Sequence, residues 1–146
     1  MIKVIGLRKL INVGKASKFI LNFNSIICIE YLRPMKFQNI IAAINRHVSL
    51  TKEEELFFIS LLVPQNLKQG EFAEKAGEVT LNLIHVNTGC LMTYYTDKKD
   101  NDQVIQFSTT GWWTGDLHSL TTMEPSIYST RALAESEILM LPKVRM

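Results

Sequence analysis

Cysteine is nearly absent from this chain. Cys28 and Cys90 are the only two in 146 residues. They lie far apart and match no metal or redox spacing, so they read as two reduced thiols of a cytoplasmic protein. Long apolar runs are also missing. The best one, Phe19–Ile29, is broken by Asn22, Asn24 and Ser25 and is too short to span a bilayer as a helix. There is no dinucleotide-binding glycine motif, no phosphate-binding Walker loop and no hydrolase elbow. Ser119 and Ser126 have no neighbouring His and Asp arrangement that would mark a nucleophile. His47, His85 and His118 are isolated, and the His-x-His pair with a nearby Glu of a cupin-type metal site does not occur. These absences point away from an enzyme and away from a metal centre.

Charge of either sign is modest, at 21% of residues, and the net +2 hides an asymmetry. Residues 1–34 hold six bases and one acid, 6 − 1 = +5. Residues 35–146 hold ten bases and thirteen acids, 10 − 13 = −3. A mildly acidic body lacks the clustered Lys and Arg of a nucleic-acid footprint, so no direct nucleic-acid contact and no membrane contact are expected of it.

Residues 1–34 differ from the rest. Basic residues before an apolar run resemble a signal peptide, but no small-x-small cleavage site follows. A hairpin or disordered arm is a second reading. The preferred one is an atypical extension, because regular periodicity begins only at Met35. Residues 35–142 then read as one domain, and 143–146 as a short tail.

Phe37, Ile40, Ile41 and Ile44 fall on one helical face. Thr51-Lys52-Glu53-Glu54 reads as a capping box opening a second helix, with the acids Glu53–Glu55 at its positive end. Leu56, Phe57, Ser60 and Leu61 continue that helix, and Pro64 is expected to end it. Beyond it, glycines punctuate short runs of β character. Residues 81–86 and 91–95 read as strands, 96–102 as a polar reversal, and 103–107 as the returning strand; 127–134 and 137–141 close the series. The fold class expected is mainly β with flanking helices, an antiparallel sandwich or jelly-roll barrel.

One stretch organises the rest: Thr109-Thr110-Gly111-Trp112-Trp113-Thr114-Gly115-Asp116-Leu117-His118-Ser119-Leu120. Two glycines bracket a tryptophan pair, and a short helix with exposed amides is expected after Gly115. Such a helix start is an anion site. Upstream stand Lys68-Gln69-Gly70-Glu71-Phe72, Ala76-Gly77-Glu78, Leu83-Ile84-His85-Val86 and Asn87-Thr88-Gly89-Cys90-Leu91. In this order, the set resembles the cyclic-nucleotide-binding sensor domain of the Crp/Fnr transcription regulators, over about residues 36–142.

The resemblance implies an eight-stranded jelly roll of the cyclic-nucleotide-binding type, with a cyclic nucleotide inside. Its phosphate would sit at the short helix, its ribose on a Glu after the cassette glycine, and an Arg about ten residues on would pair the phosphate. Gly115 matches that glycine, and Asp116 stands where Glu is expected. Ser126 stands where the Arg is expected. Arg131 lies five residues further and aligns better as part of the next strand. A serine offers one neutral hydroxyl in place of a charged fork. Losing a charge-assisted bond costs about 1.5–3 kcal/mol, on the order of tenfold to a hundredfold in affinity. Tight cyclic AMP binding is therefore not expected; a different small anionic ligand, or none, is.

The pocket candidates are Gly115, Asp116, Leu117, His118, Ser119, Ser126, Ile127 and Arg131. No catalytic residue, metal or certain cofactor is assigned. The expected partner is a small-molecule effector. The family's homodimer uses a long helix that would follow the last strand, together with a helix-turn-helix, and neither is found before Met146. The chain thus reads as a regulator's sensor domain truncated before its DNA reader; the alternative is a stand-alone small-molecule or protein-binding jelly roll with no DNA role.

Overall fold

The computed structural model describes residues 37–145; the readings of residues 1–34, Cys28 among them, lie outside the described residues. The chain divides into two units, up to Ser60 and from Leu61 onward.

In the first unit, helix α1 spans Gln38–Asn45 and helix α2 spans Lys52–Leu61, its last residue opening the second unit. Ile40 and Ile44 are buried, one turn apart on the stripe that the periodicity marks. The capping box ahead of α2 is formed: Thr51 N donates to Glu54 Oε2 at 2.9 Å, and Glu54 N donates to Thr51 Oγ1 at 3.3 Å. Leu56, Phe57, Ser60 and Leu61 lie in that helix, which stops at Leu61, ahead of Pro64. Its buried residues are Phe58 and Ile59, with Phe57 51% exposed, and Pro64 is the second residue of a strand.

The second unit is two four-stranded antiparallel sheets. Strands β1 (Val63–Leu67), β8 (Ser136–Pro142), β3 (Asn82–Thr88) and β6 (Trp113–Thr114) make one, in that order. Strands β2 (Phe72–Glu74), β7 (Ser129–Ala132), β4 (Cys90–Thr96) and β5 (Asp102–Thr109) make the other. The core between them is Leu67, Ile84, Val86, Leu91, Ala132 and Ile138, with Ala73 and Met140 packed against it. Each fully buried aliphatic side chain there stabilises the unit by about 1.5–3 kcal/mol.

The strands expected at 81–86, 91–95, 103–107 and 137–141 are present with ends shifted by up to two residues. The one expected over 127–134 shrinks to Ser129–Ala132. In the 96–102 reversal, Asp97 organises the turn. Its Oδ1 accepts from Lys99 N at 2.8 Å and Asn101 N at 3.0 Å, which holds its carboxyl below the usual carboxylate range.

The barrel is not closed by backbone pairing, because β6 and β2 are only two and three residues long. Side chains bridge the sheets instead. Gln106 Nε2 on β5 donates to Trp113 O on β6 at 3.1 Å. Thr93 on β4 shares hydrogen bonds with Thr114 on β6 at 3.2 Å and with Thr130 on β7 at 2.9 Å. This buried hydroxyl chain sits on the inner face of both sheets.

Candidate functional site

The chain leaves β6 through Gly115, whose φ of +133° is open to glycine; a Cβ there would also meet Asn82 O at 3.2 Å. The turn delivers Asp116 to the start of a third helix, α3, Leu117–Thr122. Asp116 is its N-cap. Its Oδ1 accepts from His118 N at 3.0 Å and from Ser119 N at 3.2 Å. The helix start that the sequence leaves open to an anion is thus occupied by the protein's own carboxylate.

The second oxygen of Asp116 is taken as well. Ser126 Oγ donates to Asp116 Oδ2 at 2.7 Å and accepts from Tyr128 N at 3.0 Å. The two positions that depart from the expected Glu and Arg therefore bond to each other. Ser126 is 4% exposed, and its backbone is fixed by Ser126 N to Glu78 O and Gly77 N to Ser126 O. Ser119, 1% exposed, donates to Glu124 O at 2.5 Å and accepts from Thr80 N at 2.9 Å.

The structure brings Gly115, Asp116, Ser119 and Ser126 together, with Leu117 and His118 on the first turn of α3. Leu117 is 43% exposed, and His118 faces outward against Glu124 at 3.3 Å. Ile127, 64% exposed, lies on the surface. Arg131 is set apart by the alternation of β7. Thr130 and Ala132 are buried on the inner face, whereas Arg131 lies half-buried on the other, its guanidinium 5.2 Å from the centre of the Tyr94 ring.

Glu74 escapes the sequence reading. It pairs in register with Thr130 and so shares the inner face. Its Oε1 is buried with no hydrogen-bond partner. Desolvation raises its pKa to about 7; the Thr80 hydroxyl opposes the rise and the Asp116 charge adds to it. A lone acid in a three-residue strand leaves no periodic signal. The groups at the head of α3 are thus carboxylates and hydroxyls: Glu74, Thr80, Asp116, Ser119 and Ser126. A phosphate placed there would meet like charge, worth about 1–4 kcal/mol of repulsion for a unit pair at ~4 Å.

His85 is fully buried on β3, edge-on to Trp113 at 5.2 Å, with neither ring nitrogen hydrogen-bonded. Desolvation lowers its pKa to about 4, so it is neutral at pH 7. His85 and His118 therefore lie in unlike settings, one buried and one exposed. Among the described residues no three His, Cys, Asp or Glu side chains gather as a metal site. Trp112 is 56% exposed while Trp113 packs on His85, so the adjacent pair faces opposite ways.

No protein-family model and no curated protein matches the chain. Solved structures do. The chain is similar to the regulatory subunit of a cAMP-independent protein kinase A from Trypanosoma cruzi bound to guanosine (TM-score 0.65, 16% identity, 84% of this chain and 41% of that one). It is similar to the sensor domain of the transcriptional regulator DNR from Pseudomonas aeruginosa (0.61, 14%, 76% and 77%). It is also similar to the catabolite activator protein of Thermus thermophilus (0.60, 21%, 66% and 45%). The chain spans 41%, 77% and 45% of the length of these three structures. No helix among the described residues is long and apolar enough to cross a membrane. With its two antiparallel sheets and its likeness to these structures, the chain has the cyclic-nucleotide-binding fold.

Proposed function

We propose that the chain is the ligand-sensing domain of a Crp/Fnr-type transcription regulator, whose effector is not held through a cyclic phosphate. One observation carries the second half of this reading. Asp116 bonds the second and third amides of α3, those of His118 and Ser119, with one oxygen and Ser126 with the other, so groups that would hold a phosphate are engaged from within. The domain is a binding module without catalysis, and DNA is contacted outside it. The acidic body and the fold shared with a regulator's sensor domain support this. The protein from Trypanosoma cruzi was solved with guanosine, a nucleoside without phosphate, and a ligand of that kind needs no arginine.

Calorimetric titration tests the reading. Cyclic AMP and cyclic GMP are expected to give no heat of binding at micromolar concentrations, and micromolar affinity for either would overturn it. The double substitution Asp116→Glu, Ser126→Arg restores the pair that the resemblance implies and is expected to bring cyclic AMP binding. If the folded double variant stays silent, the head of α3 is not a ligand site.

A further inference from the structure

Strand β2 slips by one residue against β7. Phe72 lies opposite Arg131 but Glu74 lies opposite Thr130, so two steps along β2 match one step along β7. Such a slip is a bulge, and a bulge re-aims the side chains beyond it. In an unbroken register Glu74 would stand opposite Ser129 and point the same way as Phe72 and Arg131. With the bulge it points with Thr130, toward the inner face of the sheet.

A carboxyl turned inward needs a donor. The cations beside it are engaged elsewhere. Lys75 sits over the Phe72 ring at 5.5 Å, and Arg131 over the Tyr94 ring at 5.2 Å on the other face of β7. The charge that acts on Glu74 is Asp116, of its own sign. Asp116 uses both of its oxygens, on the amides of α3 and on Ser126, whereas Glu74 keeps Oε1 buried without a hydrogen-bond partner. Ser119 is spent on Thr80 N and Glu124 O. An inward acid with no cation to answer it weakens the fold once it ionises, so its placement does not serve stability.

We propose that Glu74 is a recognition residue of the effector site and accepts the N–H donors of an amino- or guanidino-bearing ligand. A nitrogen donor fits where a phosphate does not, because the neighbouring groups are a second carboxylate and hydroxyls. Two N–H donors side by side match the two oxygens of a carboxylate. They come from the edge of a guanine base or from a guanidinium group. The inference rests on the reading that the effector is not held through a cyclic phosphate.

Calorimetric titration of the full chain with guanosine and with agmatine tests this, and the two probes separate the two sources. One of them is expected to bind at micromolar concentration. The ionised carboxylate is the form that accepts donors, and Glu74 titrates at about 7, so affinity is expected to rise about tenfold from pH 6 to pH 8. Glu74→Gln is expected to weaken binding at pH 8 by roughly tenfold and to abolish that rise, with an unchanged far-ultraviolet spectrum. A residue that only supports the fold would leave the pH profile in place. Silence from both probes would overturn the inference, and so would binding whose strength and pH profile Glu74→Gln leaves unchanged. Micromolar binding of cyclic AMP is a separate result that strikes the phosphate-free reading of the effector, so the two failures are told apart.

Discussion

The head of α3 and the edge of β5 are opposite solutions to the same problem. Both present backbone and side-chain groups that a partner could bond. At α3 the chain answers itself: Asp116 caps the amides and Ser126 caps Asp116. At β5 the row of groups is left open and flanked by exposed Val104, Ile105 and Phe107. The contrast is between a helix start whose groups are bonded from within and a strand edge that faces water. Buried polar groups must find partners wherever no ligand supplies them, whereas an exposed edge meets water at little cost.

Four measurements break or sharpen this contrast. Gly115→Val should act most strongly, because a branched side chain meets both the left-handed backbone and Asn82 O. A loss of about 2–4 kcal/mol is expected from urea unfolding; a loss within error would mean that the turn adapts and the head of α3 is not rigidly built. Asp116→Ala removes the cap and strands the Ser126 hydroxyl in a buried site. It should cost about 1–3 kcal/mol, with Asp116→Asn restoring part of it. Equal losses for the two would show that the cap geometry is not what Asp116 provides.

Glu74→Gln comes next. The folded pKa of Glu74, about 7, lies above its usual 4.5. Its contribution to stability is therefore fully present below pH 4.5 and is lost as pH rises through 7. The variant should exceed the parent protein by about 1–2 kcal/mol at pH 8, with the gap closing toward pH 5. His85 slopes the other way. Its pKa is lowered to about 4, so its contribution is present above pH 6.5 and falls away in acid. For that reason the difference between variant and parent, and not the parent's profile alone, is the informative quantity; a gap that does not change with pH would sink the assignment. Smallest is the effect of Phe107→Lys on the folding stability of one chain, within about 0.5 kcal/mol for an exposed site. A larger loss would mean that Phe107 belongs to the core and not to an open edge.

Much of the fold was legible in residue pattern. The Thr51–Glu54 box, the Ile40–Ile44 stripe and the strands around Ile84, Leu91 and Ile138 each carry a local period or a capping pair. What escaped had no period to show. Strand β1 hides behind Pro64 and two amides, and β6 is two residues long. At the site, Gly115, Asp116 and Ser126 were legible as positions but not as a bonded set. Their mutual hydrogen bond joins residues ten apart and forms only once α3 has turned.

The sequence by itself determined the class of fold, the glycine turn, the short helix after it, and the serine at position 126. Alternation, capping and φ preference act over a few residues and are written in their order. Only the tertiary structure decided that Ser126 answers Asp116, that Glu74 faces inward beside them, that Arg131 lies on the other side of its strand, and that β5 is an edge. Those depend on which strands pair and in what register, and pairing is fixed by contacts between segments far apart in the chain.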